Sequence, residues 1–259
     1  MSTAIATALP RRHVPHALII AIAGAWALAV AVEITGDAAW FHHDRLVEHG
    51  QPLWQGLPLW LLAWQAMTVA MMLPSSLPLV RLFAHASVGQ PRPRRAMVAF
   101  LGGYASVWSA FAVIALLGDV AVHRAVEEIA WLHAHQWAIG GTVLALAGGF
   151  QFTSLKEACL RQCRHPAAFL LRYYERGTAG GFKLGARHGI FCVGCCWALM
   201  LVMFAVGAAN LVWMAVLAAL MVHEKTRPLG ARAVPITGMA LLGVASVTLI
   251  YSAWAAGIA

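Results

Sequence analysis

The sequence predicts an all-α fold, a polytopic bundle of transmembrane helices. Hydrophobic residues make up 61% of the 259-residue chain and charged residues only 11%, which lies outside the usual range of soluble domains. Uncharged stretches long enough to cross a bilayer recur along the chain, and basic residues collect in alternate connections between them. We expect residues 1–259 to form a single integral membrane domain, because no polar block is long enough for a second domain.

The uncharged stretches predict about seven spans, since one crossing needs about 20 apolar residues. The fifth stretch is too long for one crossing, and the turn-forming residues 207–210 predict a helical hairpin with a short sixth span. Pro74 and Pro78 predict a kink in the second span. The stretches without Asp, Glu, Lys or Arg are residues 14–32, 51–80, 96–118, 129–155, 188–223 and 233–259.

The charges of the connections predict the orientation, because cytoplasmic loops collect Lys and Arg. We therefore expect a cytoplasmic N-terminus, and the pattern favours the bacterial inner (cytoplasmic) membrane. Anionic lipid and topology explain the net charge of +8, so the bilayer is the expected partner and nucleic acid is not. The first span has an alternative as a cleaved signal sequence. Basic residues dominate 1–13, 81–95, 156–187 and 224–232, and acidic residues dominate 33–50 and 119–128.

The connection from residue 156 to 187 is the longest polar one. We expect the first cysteine cluster to continue the fourth span into it. Residues 167–174 then predict a short helix in the membrane interface, and the glycine-rich residues 177–181 predict a loop before the fifth span.

All five cysteines lie in two groups with helical spacing. Cys159 and Cys163 are four residues apart, and Cys192 is followed at three and four residues by Cys195 and Cys196, so each group shares one helix face. We expect both groups at the cytoplasmic boundary, where disulfides are uncommon. Thiolates select Cu(I), Zn(II) or iron–sulfur clusters. The pattern favours a soft-metal site over the alternative of small buried apolar residues, with Lys156, Arg161, Arg164 and Arg187 favouring the thiolate form.

The fifth span carries further soft ligands on one face. His188, Cys192, Cys196, Met200 and Met203 follow one another at steps of four, four, four and three residues. Thiolates and thioethers suit Cu(I), so copper as Cu(I) is the expected ion, with zinc as the alternative. The stripe could carry the ion toward mid-membrane, faced by Met67, Met71 and Met72, or its methionines could be packing residues. Proton-driven transport is disfavoured, because no charged residue lies in the middle of a span.

Four segments together carry a family resemblance: Met71-Met-Leu-Pro-Ser75, Gln151-Phe-Thr-Ser-Leu-Lys156 with the cysteines that follow, Gly189 to Met200, and Leu211-Val-Trp-Met214 followed by Glu224-Lys225. The chain resembles a bacterial family of predicted metal-binding integral membrane proteins, some of them labelled copper chaperones. The resemblance implies metal handling, with Cys159, Cys163, Cys192, Cys195 and Cys196 as ligands. At Ser154 we expect proline in relatives, and the change predicts a straighter fourth span.

Three functions remain open at this point. The first is a non-enzymatic membrane protein that binds a thiophilic ion and delivers copper to a copper-dependent enzyme under assembly. The second is a thiol–disulfide oxidoreductase that exchanges electrons with a quinone or a soluble partner. The third is a structural subunit of a larger membrane complex, in which metal serves stability. The candidate metal-site residues are Cys159, Cys163, Cys192, Cys195, Cys196, His188, Met200 and Met203.

Overall fold

The computed structural model describes residues 16–35, 53–206 and 210–257, and within these ranges the regular structure is helical, without a strand. The all-α prediction is thereby confirmed. The predictions on the N-terminal arginines, on residues 36–52 and on the turn at 207–209 lie outside the described residues. The helices are α1 (His16–Thr35), α2 (Leu53–Met71), α3 (Leu73–Ser87), α4 (Pro93–Glu128), α5 (Ala130–Ala134), α6 (Trp137–Phe150), α7 (Ser154–Arg164), α8 (Pro166–Tyr173), α9 (Gly177–Val206), α10 (Leu211–Thr226) and α11 (Gly230–Ala255).

Several of these helices are long and apolar enough to cross a membrane, as expected of an integral membrane protein. Within the described ranges, α1, α4, α9 and α11 each meet that test singly. Two bent pairs, α2 with α3 and α6 with α7, meet it together, which gives up to six crossings. The predicted sixth span is α10, whose 16 residues fall short of the roughly 20 that a crossing needs. Seven spans and a cytoplasmic N-terminus stay predictions.

The kink predicted in the second span is present, between α2 and α3, whose axes differ by 75°. The helix is interrupted at Met72. Pro74 lies in the first turn of α3, where its missing N–H costs no helical hydrogen bond. The break brings the side chain of Met72 into the interior, where it is fully buried.

The first cysteine cluster follows the fourth span through a sharp bend and not as a straight continuation of its helix. Helix α6 ends at Phe150, and α7 leaves it at 65°. Thr153 has extended backbone angles, and its hydroxyl accepts a hydrogen bond from the backbone N–H of Lys156 at 3.3 Å. This N-cap starts a new helix, so Ser154 does not straighten the span. The bend lays Cys159 and Cys163 against α9.

The glycine-rich stretch at 177–181 is not a loop but the start of α9, so that prediction is wrong. Gly181, Gly185 and Gly189 recur every four residues and face α4. A side chain at Gly185 would collide with the carbonyl oxygen of Phe100, so the two backbones approach as they do at small-residue contacts in membranes. The short helix predicted at 167–174 is present as α8.

The five cysteines and most of the methionines of α2, α9 and the α2–α3 break lie in the core between these helices rather than on the outer surface. Cys192, Met200 and Met203 have no exposed surface. Apolar side chains such as Ile20 of α1 and Ile250 of α11 point outward instead, as expected for helices that face lipid. The fold therefore gathers its soft ligands inside the protein.

Candidate metal centre

The two cysteine groups meet where α7 packs on α9. The sulfur atoms of Cys163 and Cys195 lie 4.0 Å apart. Cys159 packs against Gly194, since a Cβ atom at that glycine would lie 2.6 Å from the Cys159 sulfur. The cysteines are buried and free of disulfides. The convergence that the sequence predicts for the two groups is thus observed, although α7 reaches α9 through a bend.

Met72 adds a thioether to the cysteines of α9. The sulfur of Cys196 lies 3.6 Å from the sulfur of Met72. The thiols of Cys195 and Cys196 both donate to the carbonyl oxygen of Cys192, at 3.1 and 2.8 Å, which fixes their orientation along the helix. We call the five cysteines together with Met72 the sulfur cluster.

Lys225 of α10 places a buried cation in the sulfur cluster. Its Nζ lies 3.2 Å from the sulfur of Cys192, 3.8 Å from that of Cys196 and 3.7 Å from that of Met72. The residue is only 5% exposed. An ammonium group at this distance stabilises thiolates. The prediction that Lys225 is a loop charge is wrong, since it lies in α10. Glu224-Lys225 does belong to the segments that carry the family resemblance.

Three of the four basic residues that were predicted to favour the thiolate form make direct contacts with groups other than the cysteine sulfurs. Lys156 pairs with Glu224, with Nζ and Oε2 2.7 Å apart, and both side chains are almost fully buried. The Nε of Arg164 donates to the backbone carbonyl of Glu224 at 2.7 Å. The guanidinium of Arg187 lies 4.9 Å from the ring centre of Tyr173. The first two contacts fasten α7 to α10 and so hold Lys225 beside α9.

His188 is linked to the sulfur cluster through a tyrosine. Its Nε2 lies 3.0 Å from the hydroxyl of Ser76, and its ring stacks on Tyr104 with the ring centres 5.6 Å apart. The hydroxyl of Tyr104 lies 3.2 Å from the sulfur of Cys192. His188 therefore contacts Ser76 and Tyr104, and Tyr104 in turn contacts Cys192. Tyr104 is not among the site residues predicted from the sequence.

The two methionines predicted on the stripe lie deeper along α9. Met200 is fully buried in the core that contains the cysteines. Met203 lines an apolar cavity together with Met67 of α2 and Met214 of α10. Met67 was predicted to face the stripe, and it borders the same cavity as Met203 of the stripe.

The spacing of Cys163 and Cys195 fits one shared ion. Two sulfurs that are each about 2.3 Å from a metal lie about 4 Å apart at a trigonal angle, as these two do. Within the ranges that the structure describes, no three His, Cys, Asp or Glu side chains stand close enough to hold a metal as they are. The arrangement thus offers a sulfur pair with further sulfurs nearby, not the closed tetrahedron of a structural zinc site.

These features define a class of protein: an all-α chain with several helices of membrane-spanning length and a buried group of cysteines where a bent helix pair meets a long helix. A family model described as copper chaperone (PpoB2) matches residues 61–248, a range that includes the sulfur cluster and Lys225. The chain belongs to this copper chaperone family, which confirms the resemblance drawn from the sequence. No curated protein and no solved structure matches the chain.

Proposed function

We propose that this chain is an integral membrane copper chaperone that binds one Cu(I) tightly between Cys163 and Cys195 and passes it to a copper-dependent enzyme under assembly. The observation that carries the proposal is the 4.0 Å separation of these two sulfurs, which come from different helices. The family match supplies the ion, since the family is described as copper chaperones. Soft thiolate ligands suit Cu(I).

The charges of the site also favour a monovalent ion. Two thiolates and one Cu(I) carry a net charge of −1, and the ammonium group of Lys225 lies within the same sulfur cluster. Their sum is zero, which a buried site requires because an uncompensated charge is costly there. With Zn(II) the same groups would sum to +1. Copper is therefore the cargo that the site accommodates at least cost.

The remaining sulfurs provide a route for handover. Cys192 and Cys196 lie on the same turn of α9 as Cys195, Cys159 packs against Gly194, and Met72 contacts Cys196. A partner's thiol can therefore replace one ligand at a time while the ion stays bound to sulfur. No electron moves in such an exchange, and Cu(I) stays Cu(I). His188 has a positioning role in this proposal, because it reaches Cys192 only through Tyr104.

The thiol–disulfide alternative makes a different use of the same pair. A disulfide needs its sulfurs about 2.05 Å apart, so Cys163 and Cys195 would have to approach from their separation of 4.0 Å. The family description favours copper handling over this reading. The structural-subunit alternative stays a prediction.

Metal binding by the purified full chain tests the proposal. In detergent under anaerobic, reducing conditions, the wild-type chain is expected to hold one Cu(I) against a competing chelator, and the C163S/C195S double variant is expected to lose it. C159S serves as the comparison, because Cys159 lies outside the proposed pair and its loss should leave most of the binding. Transfer to a thiol-containing acceptor peptide should speed up with acceptor concentration, as direct ligand exchange requires.

Two results would contradict the proposal. A wild-type chain that binds no Cu(I) under these conditions is not a copper chaperone of this kind. The second result is protein without affinity for Cu(I) in which a quinone oxidises Cys163 and Cys195 to a disulfide and a soluble thiol reduces it again. That result would support the oxidoreductase instead.

A further inference from the structure

The apolar cavity beside α9 has an unusual lining of thioethers. Met67 of α2, Met203 of α9 and Met214 of α10 all border it, and its volume is about 100 Å³. Residues of α1, among them Ala25 and Ala29, also border it. Three methionines from three different helices thus face one space large enough for an ion.

The chemistry of the lining selects one kind of guest. Among the residues that the structure describes, those that border the cavity carry apolar, aromatic or thioether side chains, and none of these is charged. Divalent ions need anionic or imidazole ligands, whereas neutral thioethers bind Cu(I). Trp60 and Trp64 form an aromatic wall with ring centres 5.4 Å apart, and an indole face attracts a cation.

One face of α9 carries sulfur-containing residues from the sulfur cluster to the cavity. Cys196, Met200 and Met203 follow at steps of four and three residues, so they share one face of the helix. Met203 is seven residues beyond Cys196, or about 10 Å along the axis. Met67 lies on α2, which ends at Met71. The next residue, Met72, contacts Cys196 through its thioether. Sulfur atoms therefore extend from the cluster to the cavity.

We infer that the cavity bordered by Met67, Met203 and Met214 is a second Cu(I) site, distinct from the cysteine pair and weaker than it. It is weaker because neutral thioethers leave the positive charge of the ion uncompensated in the core. A weaker site further along α9 suits an ion in transit. The inference rests on the proposed function in taking Cu(I) as the ion, and moving the ion between sulfurs changes neither its charge nor its oxidation state.

Cu(I) loading of five forms of the full chain in detergent tests this inference. Wild-type protein is expected to bind two ions per chain, and both M67L/M203L/M214L and C192S/C195S/C196S/C163S are expected to bind one. Combining all seven substitutions should abolish binding. Leucine keeps the volume of methionine closely enough for the fold to persist. M97L/M239L is the matched control and should still bind two ions, since neither residue borders the cavity.

A titration with Ag(I) as a Cu(I) surrogate keeps the test valid if the cysteine variant fails to fold. In wild-type protein the second equivalent should quench tryptophan fluorescence, because Trp60 and Trp64 line the cavity, and in M67L/M203L/M214L it should not. Equal quenching and equal loading in the leucine variant would overturn the inference while leaving the cysteine site intact. If M67L/M203L/M214L bound no Cu(I) while the cysteine variant bound as much Cu(I) as wild-type protein, the proposed cysteine site would be wrong. The cavity site would then stand without it.

Discussion

Replacing Lys156 with methionine is expected to lower the free energy of unfolding by about 3–5 kcal/mol. Its Nζ lies 2.7 Å from Oε2 of Glu224, and the two side chains are 1% and 2% exposed. Removing the ammonium group leaves a buried carboxylate without this partner. Denaturant titration of the protein in detergent, followed by circular dichroism, measures the change.

Two comparison variants separate loss of the ion pair from loss of the side chain. K156M/E224Q should recover much of the stability, because it leaves no unpaired carboxylate in the core. K183M removes a lysine that also pairs with a glutamate, Glu175 at 3.0 Å, but in an exposed position, and should change stability by less than about 1 kcal/mol. Equal destabilisation in K156M and K183M would contradict the importance of burial.

Replacing Lys225 with leucine is expected to weaken Cu(I) binding roughly a hundredfold, about 2.7 kcal/mol. Its Nζ lies 3.2 Å from the sulfur of Cys192, where it balances the net negative charge of a Cu(I) ion held by two thiolates. Without it, the loaded centre carries an uncompensated charge in the core. Competition with a Cu(I) chelator at neutral pH measures the affinity.

The fold of the Lys225 variant should persist, in contrast to that of K156M. Lys156 pairs with the carboxylate of Glu224. Lys225 instead contacts two cysteine thiols and the thioether of Met72, and these groups can remain neutral when the cation is removed. K225R keeps the charge and should keep most of the affinity, which K225L loses. If K225L bound Cu(I) as tightly as wild-type protein, the charge balance proposed for the site would be wrong.

The composition and the cysteine spacing were sufficient to predict the helical membrane fold and the meeting of the two cysteine groups. Both signals are local: an uncharged stretch predicts a helix that tolerates lipid, and steps of three and four residues place side chains on one face. The match of the copper chaperone family to residues 61–248 agrees with the segments that carried the resemblance.

The features that escaped prediction depend on contacts between distant segments. Thr153 bends the fourth span by capping α7, but a single threonine is a weak signal within an apolar stretch. The glycines at 177–181 are typical of loops, yet here they begin a helix that packs closely on α4. Lys225 lies at the end of an apolar helix and resembles a loop charge until Met72 and the cysteines of α9 are known to surround its ammonium group.

We propose that one Cu(I) is shared by Cys163 of α7 and Cys195 of α9. X-ray absorption at the copper edge, on protein loaded with one Cu(I) per chain, observes these ligands themselves. We expect a shell of sulfur ligands at about 2.3 Å that loses sulfur in both C163S and C195S. A spectrum dominated by nitrogen or oxygen ligands, or one unchanged by both substitutions, would contradict it.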